Sequence, residues 1–111
     1  MEEEKPESRR VFGLELEAIV GATAWEYGKE VEELKRRRRG EENEARMVAI
    51  YLGRQLGAHK HEEIGKAVGL DKTSSVSSAY LLMKRRVAKE KQLVRRVRRI
   101  EETLTNSKKR T

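Results

Sequence analysis

HEEIGKAVGLDKTSSVSSAYLLMKRRV, residues 61–87, reads as two helices around a sharp turn. The first is short and carries Ile64, Ala67 and Val68 on its apolar side. Gly69 and Leu70 break it, since glycine takes a left-handed conformation cheaply at a helix end. Asp71 then offers a side-chain oxygen to the free N–H groups of the next helix, as an N-cap does. In that second helix Val76, Ala79, Tyr80 and Met83 recur at three- and four-residue steps, so they share one face. The other face opens with Lys72, Thr73, Ser74, Ser75, Ser77 and Ser78. Small hydroxyls and one cation at a helix start suit a surface that must approach another molecule closely. A helix-turn-helix sets such residues against base edges in a DNA major groove. A surface hairpin with a solvated, Ser-rich face is the plainer alternative.

The rest of the chain weighs toward the groove. Its 111 residues suffice for one small domain. With 36% hydrophobic and 41% charged residues, the core must be lean. The net charge is +7 and the pI about 9.9. Residues 1–34 hold 4 Lys/Arg against 10 Asp/Glu, whereas residues 35–111 hold 22 against 9. A strongly basic body behind an acidic front attracts polyanions and releases their counterions. There is no cysteine, hence neither a disulfide framework nor a thiolate metal site. His59 and His61 alone are too few for a closed metal site; they suit a helix cap or phosphates. No long apolar run and no signal peptide is visible, which fits a cytoplasmic, nucleoid-associated protein and no membrane partner.

In chain order, residues 1–10 form a polar lead-in, expected to be disordered or a cut point from a longer chain. A helix is expected from Val11 to about Tyr27, with Leu14, Leu16, Ile19, Val20 and Ala24 inward and Trp25 as a core or cap residue. Gly28 ends it, and a short helix follows over Glu30–Leu34. Lys35, Arg36, Arg37, Arg38 and Arg39 form the densest charge in the chain. Five adjacent cations repel one another unless an anion is bound, so this loop is expected on the DNA backbone or in the minor groove. Glu41 to Leu56 is the expected long core helix, with Met47, Ile50, Tyr51, Leu52 and Leu56 as its stripe. Lys60, His61 and Lys66 are candidates for phosphates, and Lys84, Arg85 and Arg86 add backbone charge. Residues 89–104 read as a basic amphipathic helix built on Leu93 or Val94, Val97, Ile100 and Leu104. Its use is open between packing on the bundle, pairing and an anionic surface. Residues 105–111 are expected to fray.

This order of parts resembles the C-terminal DNA-binding domain of the bacterial replication initiator DnaA. The residues that carry the resemblance are the basic loop, then Arg46, Ala49 and Leu52 in an R-x-x-A-x-x-L pattern, then Glu63-Ile64-Gly65. Lys72-Thr73-Ser74-Ser75-Val76 stands where that family has Asp-His-[Ser/Thr]-[Ser/Thr]-Val. The resemblance implies an all-α bundle of five to six helices with a DnaA-like, Trp-repressor-like helix-turn-helix over residues 11–88. It implies a double-stranded DNA partner and no cofactor. Thr73 replaces the family's His and Lys72 its Asp, residues that help read the DnaA site, so a different site preference is expected. His61 and Glu62 likewise replace an apolar residue and a proline. Ile100-Glu101-Glu102-Thr103-Leu104 resembles the I-E-x-x-L ending of DnaA-like segments in REP-associated transposases. No G-x-x-x-x-G-K-[ST] loop and no His-hydrophobic-His pair occurs, and Tyr27, Tyr51 and Tyr80 fall on apolar faces rather than beside acids. The chain is therefore expected not to be an enzyme. A basic helical adaptor for an acidic protein is the rival function. The oligomeric state stays open, a monomer included.

Overall fold

The computed structural model describes residues 15–36, 43–57 and 59–110, with side chains through residue 105. Expectations resting on residues 1–14 and 37–42, including the helix start at Val11, the inward Leu14 and Arg37–Arg39, lie outside them. The described residues form six helices: α1 Leu16–Glu26, α2 Val31–Lys35, α3 Glu44–Gln55, α4 His61–Val68, α5 Thr73–Lys89 and α6 Lys91–Arg110. The all-α bundle expected from the sequence is the fold observed.

α3 is the axis. It packs against α1, α2, α4 and α5, and Ala45, Val48, Ala49, Ile50 and Leu52 on it are at most 1% exposed. Around it the core divides in two. Val20, Leu34, Ile50, Ile64, Val68 and Val76 fill the part under the α4–α5 turn. Ile19, Leu52, Met83, Leu93, Val97, Ile100 and Leu104 fill the part under α6. The amphipathic C-terminal helix thus spends its apolar stripe inside the bundle. It also runs as helix to Arg110, past the point where fraying was expected. No helix among the described residues is long and apolar enough to cross a membrane.

Two expected roles are corrected. Trp25 is 80% exposed rather than core. α1 buries Ile19, Val20, Thr23 and Ala24, a stripe that steps past Trp25. The helix then closes at Gly28, with Gly28 N–H on the Trp25 carbonyl and Lys29 N–H on that of Ala24. Asp71 does not cap α5. The N-cap position is Lys72, without a side-chain bond, because the turn after Gly69 is one residue too long for Asp71.

A polar clamp holds the short helix α2. A five-residue helix has too few internal bonds to persist alone. Glu33 Oε1 accepts from the Glu30 N–H at 2.9 Å at its start. At its end Arg46, 8% exposed, donates from Nε to the Leu34 carbonyl at 2.7 Å. Its Nη2 donates to the carbonyls of Lys35 at 2.8 Å and Arg36 at 3.0 Å. Asn43 serves both helices: its Oδ1 accepts from Arg46 N–H as N-cap of α3, and its Nδ2 donates to the Leu34 carbonyl at 3.2 Å. Replacing Arg46 by Met keeps the apolar stem but strands these carbonyls. The expected loss is about 3 kcal/mol of unfolding free energy, read from the midpoint of a urea titration; an unshifted midpoint would deny the clamp its role.

Candidate nucleic-acid interface

The α4–α5 turn owes its tightness to two glycines. Gly69 sits at φ +78°, and Leu70 N–H reaches back to the Gly65 carbonyl at 2.8 Å. A Cβ at Gly65 would lie 2.9 Å from the Leu70 carbonyl and 3.3 Å from Val76 Cγ2. Only a residue without a side chain lets the second helix cross the first this closely. Val76 is then fully buried beneath the crossing, which turns the opposite side of α5 outward.

On that outward side Lys72, Thr73, Ser74, Ser75 and Ser78 are exposed, and Ser77 is half-buried. The first-turn N–H groups of α5 lack a side-chain cap, so the positive end of the helix dipole stays open toward an anion. Beside it lies a cleft of about 440 Å³ that brings His61, Lys66, Lys72 and Thr73 together, with the carboxylates of Glu62 and Asp71 also in its wall. The Nε2 of His61 is buried and has no hydrogen-bond partner among the described residues. Lys60 is the N-cap of α4, its N–H held by Glu63 Oε1 at 3.2 Å. His59 Nδ1 lies 3.5 Å from the same carboxylate. That backbone N–H, with His59 in support, holds the exposed Glu63 carboxyl below its usual range.

The first two residues of the basic run stand at the turn. A Cβ at Gly69 would lie 2.8 Å from the Lys35 carbonyl, so the end of α2 packs on the α4–α5 turn. Lys35 and Arg36 are exposed there. Further along α5, Lys84 and Arg85 are exposed, but Arg86 is tied inward. Its guanidinium meets Glu90 at 3.0 Å and Glu44 at 2.8 Å, and both carboxylates hold its charge more firmly than in water. Backbone charge was expected from Arg86; its geometry makes it a strut between α3 and the end of α5.

Glu44 also corrects the expectation for Tyr27. The phenol is beside an acid after all, donating to Glu44 Oε2 at 2.6 Å, while Arg96 stacks on its ring at 4.3 Å. Burial and the Glu44 carboxylate push the phenol above its ordinary pKa, the opposite of what a nucleophilic tyrosine needs. Tyr51 and Tyr80 stack on each other at 5.8 Å. Periodicity could not reveal this network, because its partners come from the end of α1 and from α3, α5 and α6.

The close-packed glycine turn and the outward second helix define a helix-turn-helix. Residues 16–81 match the family described as the bacterial DnaA protein helix-turn-helix, more than half of the chain. The chain belongs to that family, whose helix-turn-helix is a DNA-binding module rather than a catalytic one. No curated protein matches it. α6 lies beyond the matched residues.

For Glu44, burial works to raise the pKa, but the hydrogen bonds from Tyr27 and Arg86 outweigh it and hold the carboxyl below its ordinary value. A carboxylate depressed in the folded state stabilises above its unfolded pKa, and that contribution is lost as pH falls through the folded one. Stability should therefore drop on acidification below the usual carboxylate range. Glu44→Gln should show a shallower acid limb in thermal melts across pH, with Glu63 keeping part of the slope. Identical limbs in the two proteins would remove Glu44 from the account.

Proposed function

We propose that this chain binds double-stranded DNA with a preference for sequence. α5 lies in the major groove, and Lys72, Thr73, Ser74, Ser75, Ser77 and Ser78 face the base edges. Lys60, His61 and Lys66 hold phosphates on one side. Lys35 to Arg39 follows the backbone or enters the adjacent minor groove, and Lys84 and Arg85 extend the backbone contact. The observation that carries this function is the pairing of an outward hydroxyl face on α5 with Lys35, the first residue of the basic run, packed against the same turn. Hydroxyls contact several bases, and Thr73 and Lys72 stand where relatives of the DnaA type carry His and Asp. The preferred site is therefore a different one from the DnaA box.

The resemblance of residues 100–104 to the ending of DnaA-like segments in REP-associated transposases supports a second, narrower assignment: the DNA-binding part of such a transposase. Ile100 and Leu104 are 0% and 5% exposed, so that ending acts as packing for α6. Both assignments put the protein on chromosomal DNA.

Selecting bound duplexes from a random pool tests the groove assignment. Ser74→Glu should abolish enrichment of any sequence while the thermal melt is unchanged. Neutralising Arg37 and Arg38 together should weaken binding to every duplex. It should also flatten the plot of log affinity against log salt by about one unit per lost phosphate contact. A parent chain that enriches no sequence, yet still captures acidic proteins, would be the adaptor instead.

A further inference from the structure

Apart from Trp25, the exposed large hydrophobics among the described residues are Leu81 and Leu82, 51% and 40% exposed. Both lie on α5, whose inward positions are taken by Val76 and Met83. Neither leucine is needed to close the core, and each leaves a large apolar surface in water. Their place on the helix is specific. Ser74, Ser77, Ser78 and Leu81 follow the i, i+3, i+4, i+7 spacing by which a helix lying along a major groove presents base-reading side chains over two turns. Leu82 is four residues beyond Ser78 on the same side. From Thr73 to Leu81 the helix advances about 12 Å, comparable with the width of the groove. A helix inclined along the groove therefore keeps both ends of this strip against the bases.

The surroundings indicate what the leucines meet. Lys84 and Arg85, both exposed, lie three residues beyond Leu81 and Leu82 respectively. An apolar patch bordered by cations on one side and hydroxyls on the other is poorly matched to an apolar protein surface. It matches a DNA groove, where the exposed apolar group is the C5-methyl of thymine and the walls are phosphates.

We propose that Leu81 and Leu82 read thymine methyl groups at one edge of the DNA site. The inference rests on α5 lying in the major groove and adds a specificity element beyond the hydroxyl strip. Its test uses the full chain and the duplex enriched from a random pool, with each thymine replaced in turn by uracil, which removes the methyl and nothing else. At one or two positions uracil should weaken binding by the parent chain about fourfold, the equivalent of one methyl group withdrawn from apolar contact. Leu81→Ala and Leu82→Ala, both at exposed positions, should bind the uracil duplex as the parent does and lose the preference for thymine there. If the pool yields an enriched sequence but no thymine is sensitive to its methyl, the leucines do not read it and only this inference falls. A preference that survives both alanine variants overturns it equally. Sedimentation without DNA is the control: a parent that self-associates where the alanine variants do not would make the pair a contact between copies. If no sequence is enriched at all, the groove assignment fails and takes the inference with it.

Discussion

Three backbone carbonyls at the end of a five-residue helix converge on one guanidinium, and that convergence sets where Lys35 and Arg36 stand. Burying Arg46 costs hydration, which several charge-assisted hydrogen bonds offset only with good geometry. The geometry is good because Arg46 and Asn43 rise from the first turn of α3, the most deeply buried helix, and meet the Leu34, Lys35 and Arg36 carbonyls at 2.7–3.4 Å. The cation also sits at a helix C-terminus, where the dipole favours it. Without the clamp α2 would be held only by Leu34 in the core and the Glu30–Glu33 bond at its start, and Lys35 and Arg36 would lose their fixed place beside Gly69.

α5 is shared between the two halves of the core, and that division explains how one helix can be both rigid and exposed. Val76 anchors its first turns to α3 and α4. Met83 anchors its later turns to α6. The Tyr27–Glu44–Arg86–Glu90 chain then ties its C-terminal end to α1 and α3. With both ends fixed from behind, the face between them stays in solvent without side-chain partners from other helices among the described residues. A face held this way is ordered before any partner arrives, and so avoids the conformational entropy that ordering it on contact would cost.

What the sequence made legible was periodic or glycine-dependent. Val76, Ala79, Tyr80 and Met83 turned inward as their spacing implied, and Gly69 took the left-handed turn expected of it. The stripe of α6 was readable too, although only the structure decided that it packs inward. Periodicity says which residues share a face; it is silent about polar partners distant in the chain. Arg46 was visible as part of a family pattern, but its carbonyl acceptors lie 10–12 residues upstream. Arg86 and Glu44, 42 residues apart, looked like one more surface cation and one more helix-start acid. Trp25 shows the converse failure: a large aromatic suggests core, yet its angular position on α1 decides its exposure.

The acids and bases are not merely numerous; they are sorted. Glu44 and Glu90 engage Arg86, and Glu26 engages Arg99 at 2.8 Å, all on the side of the bundle where α1, α3, α5 and α6 meet. Lys66, Lys72, Lys84 and Arg85 make no ion pair among the described residues. A chain that only needed charge for solubility would gain by interspersing the two signs. Here carboxylates neutralise Arg86 and Arg99 between helices, while Lys66, Lys72, Lys84 and Arg85 keep their charge unspent. Repulsion among them weakens as soon as a polyanion replaces their counterions, so binding relieves a strain that folding leaves in place. Lys91, Arg95 and Arg98 on α6 are exposed and make no ion pair among the described residues either, so the basic excess covers more than one face, and pairing is kept for Arg86 and Arg99, which join helices.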